Sequence, residues 1–230
     1  MSTTSGTSVV PPAVFPASWS LANLQEYLGG IPPERIRLYP PPGMATEEDA
    51  VRLDDHEDCL CELVDGVLVE KVMGFYESIL AMLLGHFLNE YLETNPCGIV
   101  SGADGQFRIL PTKMRVPDLA FIGWDRFPGG QLPGDRVCKV APDLAVEILS
   151  SGNTQQEMEQ KLDEYFEARV RLVWYIDPRT RTASIYTTHR QMTTIDTSGY
   201  LDGGDVLPNF KLRLGELFER ADRRKQPVDP

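Results

Sequence analysis

An α/β fold, a mixed β-sheet flanked by α-helices, is what the residue pattern predicts, and three observations carry that expectation. Two long stretches, 75–92 and 154–168, have helical spacing of apolar residues. Between and after them lie short β-prone runs at 107–110, 119–122, 144–149, 172–176 and 183–186. The order helix, strands, helix, strands departs from a uniform βαβ series and so implies mixed pairing.

Taken in order, the first 18 residues are small, Pro-rich and polar, and are expected to form a disordered N-terminal arm. One domain then spans 19–220, followed by a flexible tail over 221–230; 230 residues with 42% hydrophobic content suffice for one substantial core. Ser20 caps a short helix carrying Leu21, Leu24 and Leu28, which Gly29, Gly30 and two prolines end. Tyr39 to Gly43 reads as a rigid connector. Two β-prone runs between Cys61 and Val72 flank Asp65-Gly66, which predicts a tight hairpin. Leu80, Leu84, Leu88 and Tyr91 share one face of the long helix that follows. The runs at 107–110, 119–122 and 144–149 read as central strands. Thr154 and Glu157 have the spacing of a capping box for the second long helix. Strands at 172–176 and 183–186, a hairpin-like 192–195 and a terminal helix near 214–224 complete the series.

Composition narrows the function. No apolar run approaches the roughly 18 residues of a membrane span, and no secretory leader pattern is present, so the expected location is cytoplasmic. Cys59, Cys61, Cys97 and Cys138 form neither paired knuckles nor a cluster with His56, His86 and His189; they are read as buried or semi-buried thiols, not zinc ligands. A net charge of −12 disfavours phosphate backbones unless a local basic rim or a bound metal offsets the acids. No nucleophile elbow, P-loop, dinucleotide fingerprint or H-E-x-x-H is present.

Two carboxylates stand out. Glu147 lies inside the apolar run Asp143 to Leu149, where an ionised group needs a cation, a metal or strong donors. Asp118 opens an earlier apolar run, Leu119 to Ile122. Two acids converging from adjacent strands make a hard-oxygen site suited to Mg²⁺. Lys161 lies on the flank of the inward face defined by Met158, Leu162 and Tyr165, and Glu77 aligns with the buried face of the first long helix. Against these stand simpler readings: a structural ion pair for Glu147, a turn for Pro-Asp, a snorkelling Lys161 and a dipole-complementing Glu77.

The ordered set P-D (117–118), V-E-I-L-S (146–150), N-T-x-x-E-M-x-x-K-x-x-E-Y-F (153–166) and V-W-Y-I-D-P (173–178) resembles the Uma-type family of restriction endonucleases, within the PD-(D/E)XK superfamily. C-E-L-V-D-G-V-L-V-E-K (61–71) and D-V-L-P-N-F (205–210) extend the resemblance over about residues 20–218. It implies a restriction endonuclease-like core, with Asp118 and Glu147 as metal ligands and Lys161 as the catalytic lysine. Glu77 would be the helical acid completing the site, with Glu62 as its competitor. One departure is that the superfamily's lysine two residues after the acid is here Leu149. The implied function is Mg²⁺-dependent hydrolysis of phosphodiester bonds in nucleic acid, DNA in the first instance, with Mn²⁺ as a substitute and a homodimer as the pairing that cuts two strands. The competing readings are a non-catalytic nuclease-fold binding protein and a metal-dependent hydrolase of a small phosphorylated substrate.

Overall fold

A computed structural model describes residues 15–223. The chain runs through α1 (Leu21–Tyr27), a 3₁₀ turn (Pro33–Arg35), β1 (Ile36–Arg37), α2 (Glu47–Glu57), β2 (Cys61–Val64), β3 (Val67–Glu70) and α3 (Phe75–Thr94). It continues through β4 (Gly98–Ser101), β5 (Phe107–Leu110), β6 (Lys113–Arg115), β7 (Leu119–Gly123), β8 (Leu144–Ile148), α4 (Gln155–Glu167) and β9 (Leu172–Asp177). Last come β10 (Thr182–Thr188), β11 (Gln191–Ile195), β12 (Tyr200–Asp202), β13 (Lys211–Arg213) and α5 (Leu214–Ala221).

The α/β class holds, but the strands divide between sheets. A six-stranded sheet in the order β11-β10-β9-β8-β7-β4 is mixed, its one parallel pair being β8 and β9, joined by the α4 crossover. A five-stranded antiparallel sheet has the order β1-β3-β2-β6-β5, and β12 and β13 pair separately. The run 107–110, expected to be central, is instead the edge of the antiparallel sheet. Its alternation of buried and half-buried residues is what a strand covered on one face shows. β7 and β8, by contrast, are buried throughout, as their near-continuous apolar runs require.

The two faces of the mixed sheet carry different helices. Val146, Ile148, Trp174 and Ile176 pack with Leu80, Leu84 and Leu88 of α3 and Leu217 and Phe218 of α5. Ala145, Val173 and Tyr175 pack with Met158, Leu162 and Tyr165 of α4. Because side chains alternate along a strand, Glu147 belongs to the face of Ala145 and points at α4.

Local chemistry explains the connections. Asp65 and Gly66 adopt φ of 49° and 75°, the paired positive values that a two-residue hairpin turn demands. Asp65 is then tied by the Tyr27 hydroxyl, by Thr112 at 2.6 Å and by Lys113 at 2.7 Å. Although burial pushes the Asp65 carboxyl up, these donors hold it below its ordinary value. Its stabilisation is therefore fully present above an unfolded value of about 4 and disappears as the pH falls through the lowered folded value. Asp65→Asn should be clearly less stable than the parent at pH 7 and equal to it well below pH 4, measured by urea unfolding. A stability gap that does not narrow with acid would refute this role.

Two elements differ from expectation at their caps. The α2 helix, absent from the sequence reading, is closed by a reciprocal Thr46–Asp49 box. At α4, Thr154 accepts from the Glu157 amide at 3.0 Å, but the Glu157 carboxylate does not return the bond; Arg35 takes it at 2.8 and 3.0 Å. Residues 1–14 of the arm and 224–230 of the tail lie outside the described residues. Phe15 stacks on Trp19 with ring centroids 5.2 Å apart. All four cysteines are free, and Cys97 is exposed, contrary to expectation, in the short connection between α3 and β4.

Candidate metal and catalytic site

Four carboxylates and three cations from both sheets and α4 meet beneath the surface. Asp118 precedes β7, and its backbone amide donates to the Val146 carbonyl at 2.9 Å, which places it beside β8. Its Oδ2 accepts the Ile148 amide at 2.6 Å, leaving Oδ1 to face Lys71 Nζ at 2.9 Å. Glu147 Oε2 faces the same ammonium at 3.0 Å. The other oxygen of Glu147 accepts the Tyr165 hydroxyl at 2.7 Å and Lys161 Nζ at 3.4 Å. Lys161 donates more closely to Glu62 Oε1, at 2.8 Å. Glu62 in turn holds Arg115 at 2.7 Å, and Arg115 holds Glu164 at 2.6 Å.

Asp118, Glu147 and Lys161 are thus brought together. Lys161, expected on the flank of the helix's inward face, is 1% exposed and bridges Glu62 and Glu147. Glu62, the competitor, belongs to the cluster. Glu77 is half-buried in the first turn of α3 with its carboxylate folded against Gly74, and no hydrogen bond or ion pair among the described residues links it to the other acids. Its placement is that of a first-turn acid facing the helix dipole.

The cluster's charges hold each other in place. Burial pushes the Glu62 carboxyl up, but Lys161, Arg115 and Lys71 outweigh it and hold the group below its ordinary range. Glu147 behaves alike: burial opposes ionisation, while Lys161 and Lys71 favour it strongly enough to lower the value. For Asp118 burial wins, with Lys71 opposing and the Glu147 charge adding to the upward shift. Burial pulls the Lys71 ammonium down, and Glu147 and Asp118 more than reverse it.

Two anionic oxygens from adjacent strands aimed at one point are the protein's share of a Mg²⁺ site, since that ion is commonly held by one or two carboxylates plus water and phosphate oxygens. Asp118 and Glu147 fit that description. Among the described residues, no three His, Cys, Asp or Glu side chains gather around a metal position. A groove of about 300 Å³ opens two residues beyond Glu147, lined by Leu149, Ser150, Asn153, Met158, Tyr175 and Arg179 among others; none of its lining residues belongs to the cluster.

Several members of this network escaped the sequence reading. Glu157 and Glu164 share the buried face of Lys161 at helical spacing, a signal that charged partners must come from elsewhere. Those partners, Arg35 and Arg115, lie 122 and 49 residues away, which periodicity does not reveal. Lys71 was visible only as the end of the hairpin run.

No helix among the described residues is long and apolar enough to cross a membrane. A search of curated proteins gives no match. Among solved structures, the chain is similar to a crystal structure described as a putative nuclease belonging to DUF820 from Anabaena variabilis ATCC 29413, with 18% identity and a TM-score of 0.64. The likeness covers 71% of this chain and 92% of that one, and at this identity it bears on the fold alone. The family model described as Uma2, putative restriction endonuclease, matches residues 47–215, from the start of α2 to the start of α5 and with every residue of the acidic cluster inside it. The chain therefore belongs to the Uma2 family of putative restriction endonucleases.

Proposed function

We propose that this protein is a Mg²⁺-dependent endonuclease that hydrolyses phosphodiester bonds of nucleic acid, with DNA as the substrate and Mn²⁺ able to replace Mg²⁺. The observation that carries this reading is the convergence of Asp118 and Glu147 on one cation position, with the Lys161 ammonium on the opposite oxygen of Glu147. Asp118 and Glu147 would hold the metal ion, whose chemistry when bound is to polarise a phosphoryl oxygen and acidify a water.

The chain's own groups do the positioning. The Ile148 amide fixes the Asp118 carboxylate, and the Tyr165 hydroxyl fixes that of Glu147. Lys161, held by Glu62, offers a preorganised positive charge to the oxygens of a scissile phosphate. Two copies related by a twofold axis would present one such site to each strand of a duplex.

A panel of plasmid, single-stranded DNA, RNA and small phosphoesters, each with Mg²⁺, Mn²⁺ or EDTA, tests the reading. Metal-dependent nicking or cutting of DNA is expected; cleavage confined to small phosphoesters would replace it with a small-substrate hydrolase. A second reading, a nuclease-fold protein that binds without cutting, is favoured by the closure of the cluster, whose side chains are at most 7% exposed for Lys71, Asp118, Glu147 and Lys161. Binding of DNA without cleavage under any metal condition would select it.

A further inference from the structure

We propose that Lys71 is the site's resident cation: its ammonium occupies the position between Asp118 and Glu147 that a divalent ion would take, so that metal enters only as Lys71 withdraws. The inference rests on the metal-dependent reading above and assigns a residue that the reading does not use.

Three observations support it. Lys71 Nζ lies 2.9 Å from Asp118 Oδ1 and 3.0 Å from Glu147 Oε2, so one ammonium satisfies both oxygens that would face a metal. The second lysine is not interchangeable with it, because Lys161 is committed to Glu62 and to the other oxygen of Glu147. Lys71 also sits one residue beyond β3, where its amide still bonds Leu60 at 2.8 Å, while residues 71–74 that follow are irregular up to α3. Its backbone is anchored on the hairpin side and paired by no strand among the described residues on the other, and a four-carbon stem with rotatable bonds can swing without breaking a sheet.

The energetic logic is direct. Without an ion, Asp118 and Glu147 face each other in a buried setting and need a counter-charge. Lys71 supplies it, which keeps the metal-free site folded and closed. A divalent ion must then compete with a tethered ammonium, and its apparent affinity falls by the fraction of molecules in which Lys71 has withdrawn.

The test is calorimetric titration with Mn²⁺ of the full chain and two variants, with no substrate present. Lys71→Met keeps the length of the side chain and removes its charge, and should tighten Mn²⁺ binding by about tenfold or more. Lys71→Arg keeps a charge that spans both carboxylates, and should weaken binding by a similar factor. The arginine variant also serves if the methionine variant does not fold. Equal affinities in the parent and in the variants that fold would overturn the role of Lys71 while leaving the metal site standing. Absence of Mn²⁺ binding in the parent and both variants would overturn both.

Discussion

Lys161→Met is expected to cost about 3–5 kcal/mol of folding stability, a large share of the 5–15 kcal/mol typical of a domain. The ammonium is 1% exposed and joins Glu62 of β2 to Glu147 of β8, so it ties the antiparallel sheet to the mixed one through α4. Removing it leaves two carboxylates in low dielectric with less counter-charge. The loss falls toward the lower end of that range because Glu62 keeps Arg115 and Glu147 keeps Lys71 and Tyr165. Urea unfolding of the single variant and of Lys161→Met combined with Glu62→Gln checks the cause. Neutralising the stranded acid should recover part of the loss, and a single variant as stable as the parent would dispose of the bridge. Under the proposed function, the same substitution lowers cleavage about 10²–10³-fold even where the variant is fully folded.

Asp118→Asn should do the reverse, abolishing chemistry while sparing the fold. The amide oxygen can still accept the Ile148 N–H and the volume is unchanged; the amide NH2 then faces Lys71, whose flexible ammonium shifts toward Glu147. Burial already disfavours the ionised form of Asp118, with Lys71 only partly offsetting it, so neutralising the group forfeits little stability. Cleavage is another matter under the proposed function: with Asp118 as one of two metal ligands, its loss would forfeit several kcal/mol of charge stabilisation, and each 1.36 kcal/mol is tenfold in rate. Mg²⁺-dependent cutting of a plasmid should drop about 10³-fold, with circular dichroism unchanged. Cleavage at the parent's rate would remove Asp118 from the chemistry.

The parts of this molecule legible in its sequence are those whose causes are local. The Asp65-Gly66 turn, the apolar faces of α3 and α4 and the buried strands β7, β8 and β9 follow from spacing and turn chemistry within a few residues. Glu147 was legible as a charge inside an apolar run, Asp118 through its pairing with Glu147 at the start of another, and Lys161 as a cation on the flank of an inward helical face. What escaped reading depends on distant contacts. α2 is weakly apolar and owes its place to packing under β2, where Ala50 meets Cys61 and Leu63. β5 and β6 join the hairpin sheet by pairing β6 to β2 across about fifty residues of chain, through Leu63 and Met114. Glu77 shows where periodicity stops: it aligns with Leu80, Leu84 and Leu88 of α3, which pack on one face of the mixed sheet, whereas Glu147 faces α4 on the other.

The parallel pairing of β8 with β9 through α4 bears on why a leucine can stand at position 149. Alternation puts Leu149 on the same side of its strand as Glu147, where it packs with the residues beneath α4. The helix that returns over that side passes close enough for a residue fourteen positions after the acid to reach it. A lysine's address in the chain is thus less constrained than its address in space: α4, lying over that patch, delivers an ammonium to Glu147 from outside the strand.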